Sequence, residues 1–312
     1  MIETLLLILG FALLIKGADI FVSASVGIAK RLKVPTVIIG LTIVAMGTSA
    51  PETIISVTAS LRGANALAIS NVVGSNIFNL MFIIGLCALI RPLPVKLRDI
   101  AKDFWISIIA GALLLGFMLI GGYYIPRLGS LVLLVAFTVY LVMLVRQAHK
   151  ARSETESVKE NADKPRPMAL IVFLAVLGCV MIVMGGQLTV DNATLIAVKL
   201  GVTERVIGLT IVGIGTSLPE LITCLVACKK GENEFAIGSI VGSNIFNIMF
   251  ILGLAGLISP LEVDRALIFD TAFLIAGSLV ALRFVYSGKH LAQREGAVML
   301  LMYIGYMIFV LM

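Results

Sequence analysis

The chain has 312 residues, of which 60% are apolar and 13% charged, against about 45–50% and about 25% in soluble domains. That composition excludes an ordinary water-soluble domain and reads as an integral membrane protein. The formal net charge of +6 does not mark a nucleic-acid binder, because the basic residues sit beside apolar runs and form no single patch.

In chain order, runs long enough to span a bilayer core, about 18 residues or more, fall near 4–28, 35–61, 66–90, 101–122, 127–145, 168–189, 204–228, 235–258, 266–285 and 296–312. Their length and continuity predict helices, since barrel strands alternate over about ten residues. The expected fold is an all-α integral membrane protein with ten transmembrane helices. The first run carries Glu3 in place of a basic leader and exceeds a signal-peptide core, which reads as a retained helix. Cys87, Cys179, Cys224 and Cys228 fall inside the runs, show no metal-ligand spacing and read as small packing residues.

Residues Gly17–Val95 align without a gap with Gly185–Val263 at a constant offset of 168, and 40 of the 79 pairs are identical. Five expected spans separate equivalent positions, an odd number, so equivalent helices cross in opposite directions. This predicts two inverted five-helix repeats, 1–148 and 168–312, joined by a polar linker, 149–167. Assigning loops alternately puts eighteen Lys and Arg on one side and five on the other, with Lys16 inside the first span. By the positive-inside rule the linker is cytoplasmic and both termini lie outside the cell membrane.

The stretch IGLTIVAMGTSAPETI, Ile39–Ile54, returns as IGLTIVGIGTSLPELI, Ile207–Ile222. A carboxylate inside a span costs at least about 2.5 kcal/mol, which makes Glu52 and Glu220 site candidates. Pro51 and Pro219 lack an amide hydrogen, so the Gly47 and Gly215 carbonyls lose their helical donors and can face an ion or water. Thr48 and Ser49 precede Glu52 by four and three residues, a spacing that shares a helical face, and Thr216, Ser217 and Glu220 repeat it. The motif GSNIFN follows in both copies and adds Ser75 with Asn79, and Ser243 with Asn247. All these donors are oxygen, which suits Na⁺ or Ca²⁺ and argues against zinc or copper.

Ser, Thr and Asn also serve as interhelical glue, and for Asn76 and Asn244 packing is the favoured reading over ligation. Asp19 and Asp191 are not equivalent under the repeat and read as structural or water-exposed, Asp19 pairing with Lys16. Inverted repeats with interrupted helices point to a secondary transporter with a midplane site. A channel would need a continuous pore, and an enzyme would need a nucleophile or acid–base arrangement that the spans do not offer.

The paired GTSAPE and GTSLPE, each followed by GSNIFN, resemble the α-repeats of the sodium/calcium exchanger branch of the cation/calcium antiporter superfamily. The resemblance implies antiport of Ca²⁺ against Na⁺, with no cofactor, by movement of the helices near 4–28 and 168–198. It implies ion ligation by Glu52, Glu220, Thr48, Ser49, Thr216, Ser217, Ser75 and Ser243, and by the backbone carbonyls of Ala45 and Gly213. Protons in place of Na⁺ are the alternative. Well-known members carry aspartate in at least one GSNIF motif, whereas Asn79 and Asn247 are both neutral here. Two carboxylates balance one Ca²⁺ or two Na⁺, which leaves a three-for-one stoichiometry and a potassium requirement open.

Overall fold

The computed structural model describes residues 2–94, 97–122, 124–155, 167–202, 211, 213–287 and 290–311. The described chain is mainly helical, with four two-residue strands, a single turn at Gly213–Gly215 and the helices α1 Ile2–Leu32, α2 Thr36–Thr48, α3 Ala50–Leu61, α4 Asn65–Ile90, α5 Leu97–Ile120, α6 Arg127–Thr155, α7 Met168–Lys199, α8 Leu218–Lys229, α9 Asn233–Ile258, α10 Arg265–Ser287 and α11 Gln293–Leu311. Among the described residues seven helices are long and apolar enough to cross a membrane, and an eighth span results if α2 and α3 are one broken crossing. The expected span at 296–312 corresponds to α11. That at 204–228 keeps α8, while 203–210 and 212 lie outside the described residues. The expected linker begins inside α6, which runs on through the helix-forming Lys150, Ala151 and Arg152; its residues 156–166 lie outside the described ones.

Pro51 marks the break between α2 and α3, which bend by 50° there. It occupies the first turn of α3, where a missing amide hydrogen costs least, and Pro219 opens α8 in the same way. The turns that end α3 and α8 also match. Gly63 and Gly231 hold φ of 73° and 79°, a left-handed conformation that glycine alone adopts freely. The amides of Ala64 and Glu232 then close back on the carbonyls of Ala59 and Ala227, both at 2.9 Å, which satisfies the helix ends.

Two compact units emerge, each drawing on both halves of the sequence. The first comprises Met1–Thr48 and Tyr140–Ser239. Its centre is α1 against α7, where glycines let the backbones approach. A Cβ on Gly10 would lie 3.0 Å from the Gly185 carbonyl, and one on Gly178 would lie 2.9 Å from the Gly17 carbonyl. Gly10 meets Gly185 while Gly17 meets Gly178, so the helices run antiparallel. Lys199 at the end of α7 reaches Glu3 at the start of α1, 2.6 Å away.

The second unit comprises Ser49–Val139 and Ile240–Met312. Here α3 packs on α4 and on the end of α9, α10 packs on α4 and α5, and α11 packs on α4. Strand β1 (Leu93–Pro94) pairs antiparallel with β4 (His290–Leu291), and β2 (Tyr124–Ile125) with β3 (Leu261–Glu262). Repeat-related aromatic pairs stack identically: Phe78 on Phe82 and Phe246 on Phe250, each with centroids 4.8 Å apart. Tyr303 caps the first stack and Phe137 the second.

Candidate functional site

The second unit holds Ser49, Glu52, Ser75, Asn79, Ser243 and Asn247. Ser49 stands at the break, with φ −83° and ψ 16°, in a sparsely populated bridge conformation common at active sites. Thr48 ends one helix and Ala50 begins the next, so Thr48, Ser49 and Glu52 do not share a continuous helical face. The proline restart replaces the spacing expected from an unbroken helix. Glu52 is fully buried in the first turn of α3, where the helix dipole offsets part of the cost of its charge. Ser75 donates to Glu52 Oε1 at 3.5 Å. Asn71, one turn earlier on α4, donates to the Glu52 carbonyl at 3.4 Å and to Ser56 Oγ at 3.0 Å.

Four asparagines link α4 to α9. Asn76 Nδ2 donates to the Asn244 carbonyl at 3.0 Å, and Asn244 Nδ2 returns a bond to the Asn76 carbonyl at 3.2 Å. Asn79 Nδ2 donates to Asn244 Oδ1 at 3.2 Å, and Asn247 Nδ2 to Asn76 Oδ1 at 3.0 Å. Asn76 and Asn244 therefore spend both ends of their amides on packing. The Oδ1 atoms of Asn79 and Asn247 remain buried with no hydrogen-bond partner, a cost of about 1–3 kcal/mol for each such group. Both residues lie in π-helical turns, Phe78–Ile83 and Phe246–Ile251, widened turns that recur at functional sites.

The first unit holds Ala45, Thr48, Gly213, Thr216, Ser217 and Glu220. The turn Ala45–Thr48 packs against α8, whose first turn carries the buried Glu220. Thr48 donates to the Val44 carbonyl at 3.1 Å and leans on that of Ala45 at 3.5 Å, which leaves its oxygen lone pairs available as acceptors. Ser217 repeats the bridge conformation, φ −91° and ψ 7°, and is fully buried. Thr216 Oγ1 is buried without a hydrogen-bond partner. Ala45 is buried, whereas Gly213 is exposed.

One expectation is corrected and a second is extended. The Gly47 carbonyl, freed by Pro51, accepts a bond from the Cys179 thiol at 3.6 Å, so Cys179 does more than fill space. Glycine admits it there, since a Cβ on Gly47 would lie 3.1 Å from that sulfur. Asp19 keeps the expected pairing with Lys16, at 3.9 Å, and gains a closer partner in Lys230, at 2.7 Å and 211 residues distant. Sequence reasoning also passed over Asn71, although Asn71, Ser75 and Asn79 step along α4 by four residues.

The chain matches the family model described as sodium/calcium exchanger protein over residues 2–146 and 170–312. It is 34% identical to the sodium/calcium exchanger MaX1 of Methanosarcina acetivorans, over 98% of both chains. It is 39% identical to the inner membrane protein YrbG of Escherichia coli, over 85% of this chain and 82% of that protein. A solved structure of the sodium-calcium exchanger NCX_Mj, soaked with 2.5 mM Na⁺ and 1 mM Sr²⁺, superposes with a TM-score of 0.85 at 30% identity, covering 99% of this chain and 98% of that one. With both halves matched by the model and a relative aligned over nearly its whole length, this chain belongs to the sodium/calcium exchanger family.

Proposed function

We propose that this protein is a secondary antiporter of the cell membrane that exchanges Ca²⁺ for Na⁺ by alternating access, through ten transmembrane helices in two inverted five-helix repeats. The observation that carries the reading is the pair of buried, unpartnered Oδ1 atoms of Asn79 and Asn247, which a bound cation would satisfy. Glu52 with Ser49, Ser75, Asn79, Ser243 and Asn247 supplies one set of oxygens. Glu220 with Thr48, Thr216, Ser217 and the Ala45 and Gly213 carbonyls supplies the other. Each set has one carboxylate, hydroxyls and neutral oxygens, the donor chemistry of hard cations. The reciprocal contacts of Asn76 with Asn244, and of Gly10 and Gly17 with Gly185 and Gly178, support the inverted arrangement.

Exchange follows from electrostatics. A bare carboxylate in a closed, dry site is prohibitive, so the carrier changes sides only when Glu52 and Glu220 are neutralised by Ca²⁺ or by Na⁺. No catalytic residue and no cofactor enter this cycle. The test is Ca²⁺ uptake into proteoliposomes under a Na⁺ gradient at fixed pH, and separately under a proton gradient without Na⁺. Uptake is expected with Na⁺ alone; uptake driven by protons alone would replace Na⁺ with H⁺ as the counter-ion.

A further inference from the structure

Asp19 sits in the middle of α1, a helix of 31 residues whose other charges are Glu3, Lys16, Lys30 and Arg31. Lys230, just past the end of α8, holds Asp19 twice and Ser23 once: the ammonium lies 2.7 Å from Asp19 Oδ1, donates to the Asp19 carbonyl at 3.0 Å, and donates to Ser23 Oγ. Ser23 closes the ring by donating to the Asp19 carbonyl at 2.7 Å. This knot joins two helices distant in sequence through a half-exposed ion pair. Lys230 also completes the negative end of α8, where a cation is favoured.

The duplication shows what is unusual about it. At the offset of 168, Lys230 corresponds to Arg62, Asp19 to Gln187 and Ser23 to Asp191. The cation is kept, but a neutral amide stands at the position of Asp19. Asp191 is displaced by one turn, and Arg62 enters no ion pair among the described residues. In a duplicated carrier with perfect two-fold symmetry the two access states would have equal energy. A contact made in one copy and missing from the other removes that degeneracy.

We propose that the Asp19–Lys230 pair is a one-sided latch that stabilises the conformation described here over the opposite access state. The inference rests on the alternating-access reading above. The latch touches none of the proposed ion ligands, so breaking it alters the balance between states and leaves the donor oxygens in place. Its signature is sidedness: the half-saturating Ca²⁺ concentrations on the two faces move in opposite directions, because each depends on how the loaded carrier is distributed.

Ca²⁺-for-Ca²⁺ exchange in oriented proteoliposomes, with saturating Ca²⁺ on the opposite face, measures both concentrations. Asp19→Asn and Lys230→Gln are each expected to change their ratio by about three- to tenfold in the same sense, the range of a modest coupling between states. The double variant should shift it no further than either single one, and Lys230→Arg should keep the parental ratio. Ratios within about twofold of the parent's in both single variants, or additive shifts in the double variant, would overturn the latch. If one single variant fails to fold, the other with Lys230→Arg still decides. A parent protein that exchanges normally while the ratios stay fixed sinks the latch alone; a parent that exchanges no Ca²⁺ sinks the antiporter reading with it.

Discussion

At the scale of single residues, the two glutamates and the asparagine quartet separate ligation from packing. Glu52→Gln and Glu220→Gln keep volume and remove charge. Losing a charge-assisted contact of about 1.5–3 kcal/mol weakens cation binding roughly 10- to 150-fold, so each variant should lose exchange while remaining folded, as read by Na⁺-driven Ca²⁺ flux and gel-filtration profile. Wild-type flux in either would remove that glutamate from the ligand set. Asn247→Asp acts differently. The Asn247 amide donates to Asn76 Oδ1 at 3.0 Å, and an aspartate there sets two acceptors face to face, since Asn76 Nδ2 is already held by the Asn244 carbonyl. The ion-free variant should lose about 1–3 kcal/mol of stability, and added Na⁺ should raise its melting temperature more than the parent's, because the ion now neutralises a third carboxylate. Equal melting temperatures and equal Na⁺ responses would place position 247 outside the ion site.

Helix elements raise the question of backbone contact. Along α1 and α7 the glycines are required by proximity, since a Cβ on Gly178 would lie 2.7 Å from the Phe21 amide nitrogen and 2.9 Å from the Gly17 carbonyl. Backbone atoms cannot step aside as a side-chain end can, so Gly178→Ala should destabilise by about 1–3 kcal/mol. Gly116→Ala is the control: no atom lies within 4 Å of its added carbon, and the gain in helix propensity is up to ~1 kcal/mol. Thermal unfolding in detergent should rank the two in that order, and a neutral Gly178→Ala would mean that the helices can part.

The same elements show how much could be read beforehand. Duplication, the proline breaks and the spacing of GSNIFN are local or periodic properties, and they located α3, α8 and the candidate oxygens. Contacts between distant segments left no such trace: nothing in Cys179 names the Gly47 carbonyl, and nothing in Lys230 names Asp19. The π-helical turns at Phe78–Ile83 and Phe246–Ile251 were also invisible, because an apolar run with one asparagine gives the same pattern in a regular helix. Both turns carry a stacked phenylalanine pair, capped by rings from distant segments that no local pattern names.

For the molecule as a whole, the decisive quantity is charge carried per cycle. In the proposed ligand set Glu52 and Glu220 supply two negative charges and Asn79 and Asn247 none, while Asp19 is already engaged by Lys230. Two charges balance one Ca²⁺ or two Na⁺. A third Na⁺ would leave a net positive charge inside the site, and an uncompensated buried ion costs several kcal/mol. The expected stoichiometry is therefore two Na⁺ per Ca²⁺, with no net charge moved. This is measurable at equilibrium: one elementary charge crossing 100 mV is worth about 2.3 kcal/mol, so a cycle that moved one would change the limiting Ca²⁺ gradient roughly 50-fold. Proteoliposomes with a fixed Na⁺ gradient, clamped at zero and at about −100 mV by a potassium gradient and ionophore, should reach the same Ca²⁺ gradient. A shift of the full size would show that a further charge joins the site, and the two-carboxylate account would then fail however well Glu52 and Glu220 behaved as ligands.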